Sequence, residues 1–278
     1  MKLAAVVVFY KPSEDNINNI NAYKDIVDKV YVVDNTDDDI IRIKEDKKIE
    51  YIKLNENKGI AYALNCGAKK AIEDKYNWLL TMDQDSKITK DNVKDMIAYL
   101  EEHKDDKKIG LISPYQDIQM GEKIPDNESN DMIEMMTSGN IINLDAYQKI
   151  GGFKDWLFID CVDTDYCMNL HKNGYQVLRL NHIVMEHHLG DRTFPKLFGK
   201  VYDCSNHNAM RRYYQIRNNL YIYDMYKDIY PDYCKRLIRI QKGQVKRVII
   251  FEKDKIHKIK NMIKGYFDHK HGIKGKMK

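Results

Sequence analysis

WLLTMDQDS, residues 78–86, is the stretch from which the rest of the chain can be read. An apolar run of strand length stops at two carboxylates, Asp83 and Asp85, one polar residue apart, so both can stand at the mouth of a sheet. The spacing alone carries little: with 30 Asp among 278 residues, chance supplies about three Asp-x-Asp triplets, and three occur, at Asp37/Asp39, Asp83/Asp85 and Asp163/Asp165. Only the surrounding elements can separate them.

Upstream, residues 3–10 (LAAVVVFY) read as a parallel strand buried on both faces, and Lys11-Pro12-Ser13 supplies a turn and N-cap for a polar helix running to about Lys29. Residues 30–34 (VYVVD) are a second strand ending at Asp34-Asn35-Thr36, and residues 50–54 a third. Asn57-Lys58-Gly59 then opens an Ala-rich helix over 60–73, a strand–loop–helix order that aims free backbone N–H groups at the loop and favours anions. Downstream of the fourth strand, at 78–83, the pattern predicts a helix over 90–103, strands at 109–113 and 132–137, the turn Ser138-Gly139-Asn140 and a short helix over 144–150. Asp160, Asp163 and Asp165 fall at the start of a helix that ends before Gly174. Two strands, 175–180 and 183–188, follow, the second ending at His187-His188; a long helix over 208–230 carries Arg211, Arg212 and Arg217. Alternating strands and helices predict an α/β protein with a mostly parallel, Rossmann-like sheet that binds ligands beyond the carboxyl ends of its strands.

The composition narrows the possibilities. With 43% hydrophobic residues, a chain of 278 can bury a large core. Five scattered Cys with no Cys-x-x-Cys pair argue against a zinc site or a disulfide framework and for a reducing cytoplasm. The N-terminal apolar run is followed by no small-residue cleavage site, and no stretch approaches the length of about 20 apolar residues needed to cross a bilayer. From Lys227 onward there are 16 Lys+Arg against 5 Asp+Glu, and before it 30 against 37, so a basic tail follows an acidic body. In that tail Ile256, Ile259, Ile263 and Tyr266 recur at helical spacing among lysines, a pattern suited to a membrane surface, with packing on the body or a partner as the alternatives. No nucleic-acid-binding motif accompanies the basic residues.

The pieces VVVFYKP, VVDNT, NKGIAYALNCG, LLTMDQDS, TSGNIINLDAYQKIGGF, FIDCVDTDYC, the HHLGD turn and HNAMRRYYQIRNN occur in one order over roughly residues 3–220. Together they resemble the bacterial family 2 glycosyltransferases of the GT-A fold, of the rhamnosyltransferase type. The resemblance implies a catalytic GT-A domain over 1–205, with a nucleotide-sugar half at 1–113 and an acceptor half at 114–205, and a basic helical extension over 206–278. It implies transfer of a sugar, with inversion, from a nucleotide-sugar donor such as dTDP-L-rhamnose to a hydroxyl of a cell-surface polysaccharide or lipid-linked glycan. The place implied is the cytoplasm, peripheral to the inner face of the membrane. A UDP-sugar donor is the alternative within the fold. A sugar nucleotidyltransferase would carry a Gly-rich loop after the first strand, and VVVFYKPSEDN has no Gly; a non-catalytic binding protein is the remaining reading.

Residue by residue, the resemblance puts a Mg²⁺ or Mn²⁺ ion on Asp83 and Asp85, with His187 or His188 as a further ligand, and Asp83 near the ribose. It puts the donor against Tyr10, Asp34, Asn57, Lys58, Gly59, Asn65 and Gly139. The base is Asp163, and Asp160, Asp165, Arg212 and Arg217 serve the acceptor. Helix capping is the competing account of the three Asp, and packing of the two Arg. Asn169 stands where the family pattern has Arg.

Overall fold

Seven consecutive apolar residues, LAAVVVF, form β1 (Leu3–Phe9), and all seven are buried. A strand apolar on both faces is stable only where helices cover the sheet from both sides, which requires a central position. The computed structural model of the chain, which describes residues 1–37, 46–117, 123–186 and 192–278, places β1 there. β1 pairs in parallel with β2 (Lys29–Asp34) on one side and β4 (Trp78–Asp83) on the other, and β3 (Ile49–Lys53) lies parallel outside β2. The sheet continues through β5 (Ile109–Asp117), β6 (Ser129–Asp131), β7 (Asn140–Asn143) and β8 (Gln176–Glu186), in the order β3-β2-β1-β4-β7-β5-β8-β6. β7 runs antiparallel between β4 and β5, and β6 antiparallel at the edge beside β8. Connections from β1 lead to β2 and β3 on one side and return as β4 on the other, so a crevice opens at the carboxyl ends of β1 and β4.

Most expected elements fall within a residue or two of the observed ones; five do not. The strand expected over 109–113 runs on to Asp117 as β5. The first helix is short: α1 (Glu14–Asn18), capped by Ser13, passes into a single 3₁₀ turn, because NINNINA is rich in residues that favour turns and α1 buries no side chain. Residues 132–137 are not a strand. Side chains meet their carbonyls instead, His171 Nε2 lying 2.9 Å from the Met132 oxygen and Asn140 Nδ2 donating to Met136 at 2.7 Å. The two strands expected over 175–188 are one, β8, with a register shift opposite Pro114/Tyr115 where buried Asn181 bonds Asn127 and Asn130. The helix expected over 208–230 ends at Tyr226 as α6 (Ala209–Tyr226), and α7 (Pro231–Ile250) and α8 (Lys255–Lys270) follow.

The chain falls into two compact units, Met1–Asp155 with Asp163–His188, and Trp156–Val162 with Leu189–Lys278. In the first, α2 (Ile60–Glu73) lies on β1 through Ala61, Ala63, Gly67, Ala68 and Ala71, all buried. A Cβ on Gly67 would stand 2.3 Å from Val6 Cγ2, so the absent side chain sets how closely helix and strand approach. α3 (Lys90–Glu102) is held by its Thr89–Asn92 capping box, and α4 (Leu144–Ile150) and α5 (Val162–Lys172) follow β7 in the chain.

In the second unit α6 and α8 pack backbone to backbone, a Cβ on Gly265 meeting the Tyr213 carbonyl at 2.5 Å. The 156–162 loop is tied to α6. Asn218 Nδ2 donates to the carbonyls of Leu157, Ile159 and Asp160 at 2.8, 2.7 and 3.0 Å, holding a segment in which Phe158, Asp160 and Cys161 have φ of 67°, 62° and 64°.

Gly67→Ala should therefore destabilise the protein by about 1–3 kcal/mol through overpacking against β1. Urea denaturation checks it, with Gly174→Ala as a comparison at a position where a Cβ meets nothing within 4 Å but φ is +81°.

Candidate active site

Three strands deliver their last residues to one level. Phe9 lies opposite Asp34 and Val8 opposite Asp83, so Tyr10, Asp34 and Asp83 leave the sheet side by side. There the ladder ends, and the freed backbone groups must find other partners. The Tyr10 N–H donates to Gln84 Oε1 at 2.8 Å and the Lys11 N–H to Thr36 Oγ1 at 3.0 Å, while Asn16 and Asn19 donate to the Gln84 carbonyl at 3.2 and 2.9 Å. Buried Asp34 accepts the Thr36 N–H on Oδ1 at 3.0 Å and the Tyr51 hydroxyl on Oδ2. Partial burial, and then the Asp34 carboxylate, push the Tyr51 hydroxyl up.

The loop before α2 joins the same network. Asn35 Nδ2 donates to Asn57 Oδ1 at 3.2 Å, the Gly59 N–H donates to that oxygen at 3.0 Å, and the Lys58 N–H donates to Asn35 Oδ1 at 2.8 Å. Gly59, at φ +88°, starts α2 with no side chain capping it, so the first-turn N–H groups face outward. Tyr10 is 42% exposed beside them. The result is a rim of amide donors and one buried carboxylate, suited to a nucleotide.

The other side of β4 carries the turn 137–140. The Asp83 N–H donates to Ser138 Oγ at 3.1 Å, the Gly139 N–H to the Thr81 carbonyl at 2.8 Å, and Thr81 Oγ1 to the Thr137 carbonyl at 2.6 Å. Gly139 has φ +82° and sits so close to β8 that a Cβ would lie 2.9 Å from Met185 Sδ. A small cavity is lined by Thr81, Thr137, Asn140, Tyr166, Cys167 and Asp163, which brings the first turn of α5 to this same turn. The Thr164 N–H donates to Asp163 Oδ1 at 2.8 Å. Burial, and then the Asp163 charge, raise the Cys167 thiol well above its ordinary range. Asn140 Oδ1 and the Tyr166 hydroxyl, both buried at this cavity, have no hydrogen-bond partner among the described residues. Asp83 and Asp163 thus flank one turn of the chain.

The Asp83 and Asp85 carboxylates stand at this strand end, Asp83 half-buried and Asp85 exposed. No group of three or more His, Cys, Asp or Glu that could cage a cation exists among the described residues. Two carboxylates fit a hard divalent ion of the kind that takes its remaining ligands from phosphates and water. His187 and His188 lie outside the described residues.

The sequence profile of the family described as Glycosyl transferase family 2 matches residues 14–153. The chain belongs to glycosyl transferase family 2. This family 2 enzyme is 29% identical over 231 residues to the dTDP-rhamnosyl transferase RfbF of Shigella flexneri, covering 77% of each chain. It is 32% identical over 105 residues to the poly-β-1,6-N-acetyl-D-glucosamine synthase of Staphylococcus aureus, 36% of this chain and about a quarter (24%) of that one. Among solved structures, S. aureus TarS 1–349 in complex with UDP-GlcNAc superposes with a TM-score of 0.57 at 15% identity, over 98% of this chain and 82% of that one. GalNAc-T7 with UDP, GalNAc and Mn²⁺ gives 0.59 at 12% identity, over 84% and 49%. The fold is the expected GT-A fold.

Four residues expected to face donor or acceptor in the family 2 enzyme are bonded to the protein instead. Asn65 uses both ends of its amide: Nδ2 donates to the Phe153 carbonyl at 2.7 Å and to Asp155 at 2.5 Å, and Oδ1 accepts from the Tyr147 hydroxyl at 2.6 Å and the Phe153 N–H at 3.1 Å. Asp165, fully buried, accepts Lys154 Nζ at 2.6 and 2.7 Å. In the second unit, buried Arg212 bonds Glu252 and Ser205, and Arg217 donates to the carbonyls of Trp156, Leu157 and Gly275 at 3.1, 3.2 and 2.6 Å. Burial is the common reason, since a buried cation or amide must satisfy its polar atoms nearby. Asp160 accepts Arg211 Nε at 3.1 and 3.3 Å; burial raises its carboxyl although Arg211 pulls it down. Thr36, Gln84, Tyr51 and Ser138 were outside the expected set. The polar stretch Asp34-Asn35-Thr36 signals Thr36, the position between the two Asp signals Gln84, and the turn Ser138-Gly139-Asn140 signals Ser138; Tyr51 has no such mark.

Asn57→Ala removes the acceptor that joins Asn35 to Gly59. Titration with UDP or dTDP should show affinity lower by about tenfold, ~1.4 kcal/mol, with the fold intact by circular dichroism. An unchanged affinity would exclude this loop from the nucleotide site.

Proposed function

We propose that this chain is an inverting, metal-assisted glycosyltransferase that moves L-rhamnose from dTDP-L-rhamnose to a hydroxyl of a cell-surface polysaccharide or lipid-linked glycan. The single observation that carries the donor is the similarity to a dTDP-rhamnosyl transferase along 77% of both chains. The strand-end geometry supports the chemistry: a nucleotide rim at Tyr10, Asp34 and residues 57–59, and a carboxylate on each side of the 137–140 turn.

In this reading Asp34 accepts the N3–H of the pyrimidine ring, the Tyr51 hydroxyl, carried by an exposed residue, giving up its bond to the buried carboxylate as the base enters. Asp163 accepts the proton of the acceptor hydroxyl while that oxygen attacks the anomeric carbon. The bond from that carbon to the diphosphate oxygen breaks, its electron pair leaves with the nucleoside diphosphate, and the configuration inverts. Asp83 and Asp85 would hold Mg²⁺ or Mn²⁺, which supplies charge neutralisation for the leaving diphosphate. Gly139 lets the backbone of its turn pass close to the sugar. Work on a lipid-linked acceptor places the enzyme at the inner face of the cell membrane.

A UDP-sugar donor is the second reading, favoured by the similarity to a poly-N-acetylglucosamine synthase over 105 residues. Asp34 cannot separate the two, because uracil and thymine share the edge it would meet.

Transfer assays with dTDP-L-rhamnose, UDP-N-acetylglucosamine, UDP-glucose and UDP-galactose decide between them. Turnover is expected with dTDP-L-rhamnose and is expected to stop on addition of EDTA; preference for a UDP-sugar overturns the rhamnosyl assignment, and activity that survives complete chelation overturns the metal. Asp163→Asn should lower kcat by about 10²–10⁴ with donor affinity unchanged, as expected for loss of a general base. Equal rates in mutant and wild type would sink the assignment of the base.

A further inference from the structure

The C-terminal helices turn an unexpected face inward. On α8 the buried positions are Lys258, Met262, Gly265 and Asp268, while Ile256 is 82% exposed and Ile263 52%. Close contact at Gly265, the ion pair of Lys258 with Glu252 and the hydrogen bond that the Tyr213 hydroxyl donates to Asp268 at 2.7 Å hold the helix by its small and charged side. Two of its three isoleucines are left in water. Ile249 and Ile250, the last residues of α7, are likewise half exposed.

A second apolar feature stands beside that corner. β9 (Lys196–Leu197) and β10 (Lys200–Val201) form a hairpin whose two-residue turn is Phe198-Gly199. Both turn residues have positive φ, 47° and 73°, the primed-turn geometry that favours Asn or Gly in the first position. Phe198 is therefore disfavoured by its backbone, and at 93% exposure by hydration as well. Such a placement is hard to account for unless something covers the ring. Tyr202, directly after β10, meets Phe251 at the end of α7 with ring centroids 5.0 Å apart, and the ion pair of Arg192 with Asp203 closes the base of the hairpin. The hairpin and the α7–α8 corner thus belong to one region of this unit.

The charges around these residues name the occupant. Lys196 and Lys200 flank Phe198 with no acid between residues 192 and 202, Arg192 being compensated by Asp203, and residues 233–251 contain six Lys and Arg and no acid. We propose that this face docks on an anionic phospholipid bilayer, with Phe198 entering the boundary between headgroups and acyl chains and the flanking lysines meeting lipid phosphates. The same face of a second copy would bring the same positive charge to the contact and be repelled. No described helix is long and apolar enough to cross a membrane, so the attachment lies in the interface plane. The inference uses none of the residues assigned to donor or acceptor and stands whichever sugar is transferred.

Vesicle flotation of the full chain tests it, using phosphatidylcholine alone and phosphatidylcholine with phosphatidylglycerol. Wild type is expected to float only with the anionic vesicles, and to be released as NaCl rises from about 0.1 to about 0.5 M. Phe198→Ser should lower partitioning about tenfold, and Lys196→Glu with Lys200→Glu at least as much, while melting temperature and donor hydrolysis stay at wild-type values. Wild type that fails to float with anionic vesicles, or a Phe198→Ser variant that floats as wild type does, overturns the proposal. So does a dimer in light scattering that Phe198→Ser disperses, which would make the face a contact between two copies.

Discussion

Everything at the site depends on where the parallel pairing of β1 stops. β1 is buried on both faces between two parallel neighbours, and its register with them sets Asp34 and Asp83 level with its own end. A slip of one residue would exchange the faces of every side chain in a strand, so a two-sided core holds that register firmly. Beyond it, backbone groups lose their ladder partners and must be met by side chains. Asn, Thr, Gln and Ser fill that need here, and the groups that close the ends of the strands also form the rim offered to a ligand.

The precision of that rim is set from behind. α2 can lie close to β1 because its inner face is Ala and Gly, and the contact at Gly67 is tighter than any side chain would allow. A helix held at that distance presents its uncapped N-terminus to the loop of Asn57 and Gly59. On the far side of β4, the turn with Gly139 is locked to β4 by three hydrogen bonds, and α5 brings Asp163 to the same turn. Asp83 and Asp163 are therefore placed by backbone, not by long side chains.

Charge is divided sharply in the C-terminal unit. Arg212, Arg217, Glu252, Lys258 and Asp268 are buried and meet partners within it, where removal of one partner would leave an uncompensated charge in a low dielectric. The remaining lysines and arginines of α7 lie mostly at the surface together with isoleucines. Basic residues in one short stretch of sequence thus do two different things, some holding helices together and others shaping an outer face.

By itself the sequence determined the α/β architecture, since long apolar runs ending in polar turns admit few other solutions. The first four strands, α2 and α3 were all legible within about a residue, because uninterrupted apolar runs and cap residues mark them plainly. Asp34, Asp83 and Asp163 could be named from position and family pattern. Tertiary structure alone decided which polar residues face outward. Asn65, Asp165, Arg212 and Arg217 look like ligands in the sequence because burial leaves no mark on a polar residue type; only the fold brings Tyr147, Lys154, Glu252 and the Trp156 carbonyl within reach of them. Phe198 is the reverse case: the sequence says nothing of its exposure, and only the hairpin turn sets the ring in water.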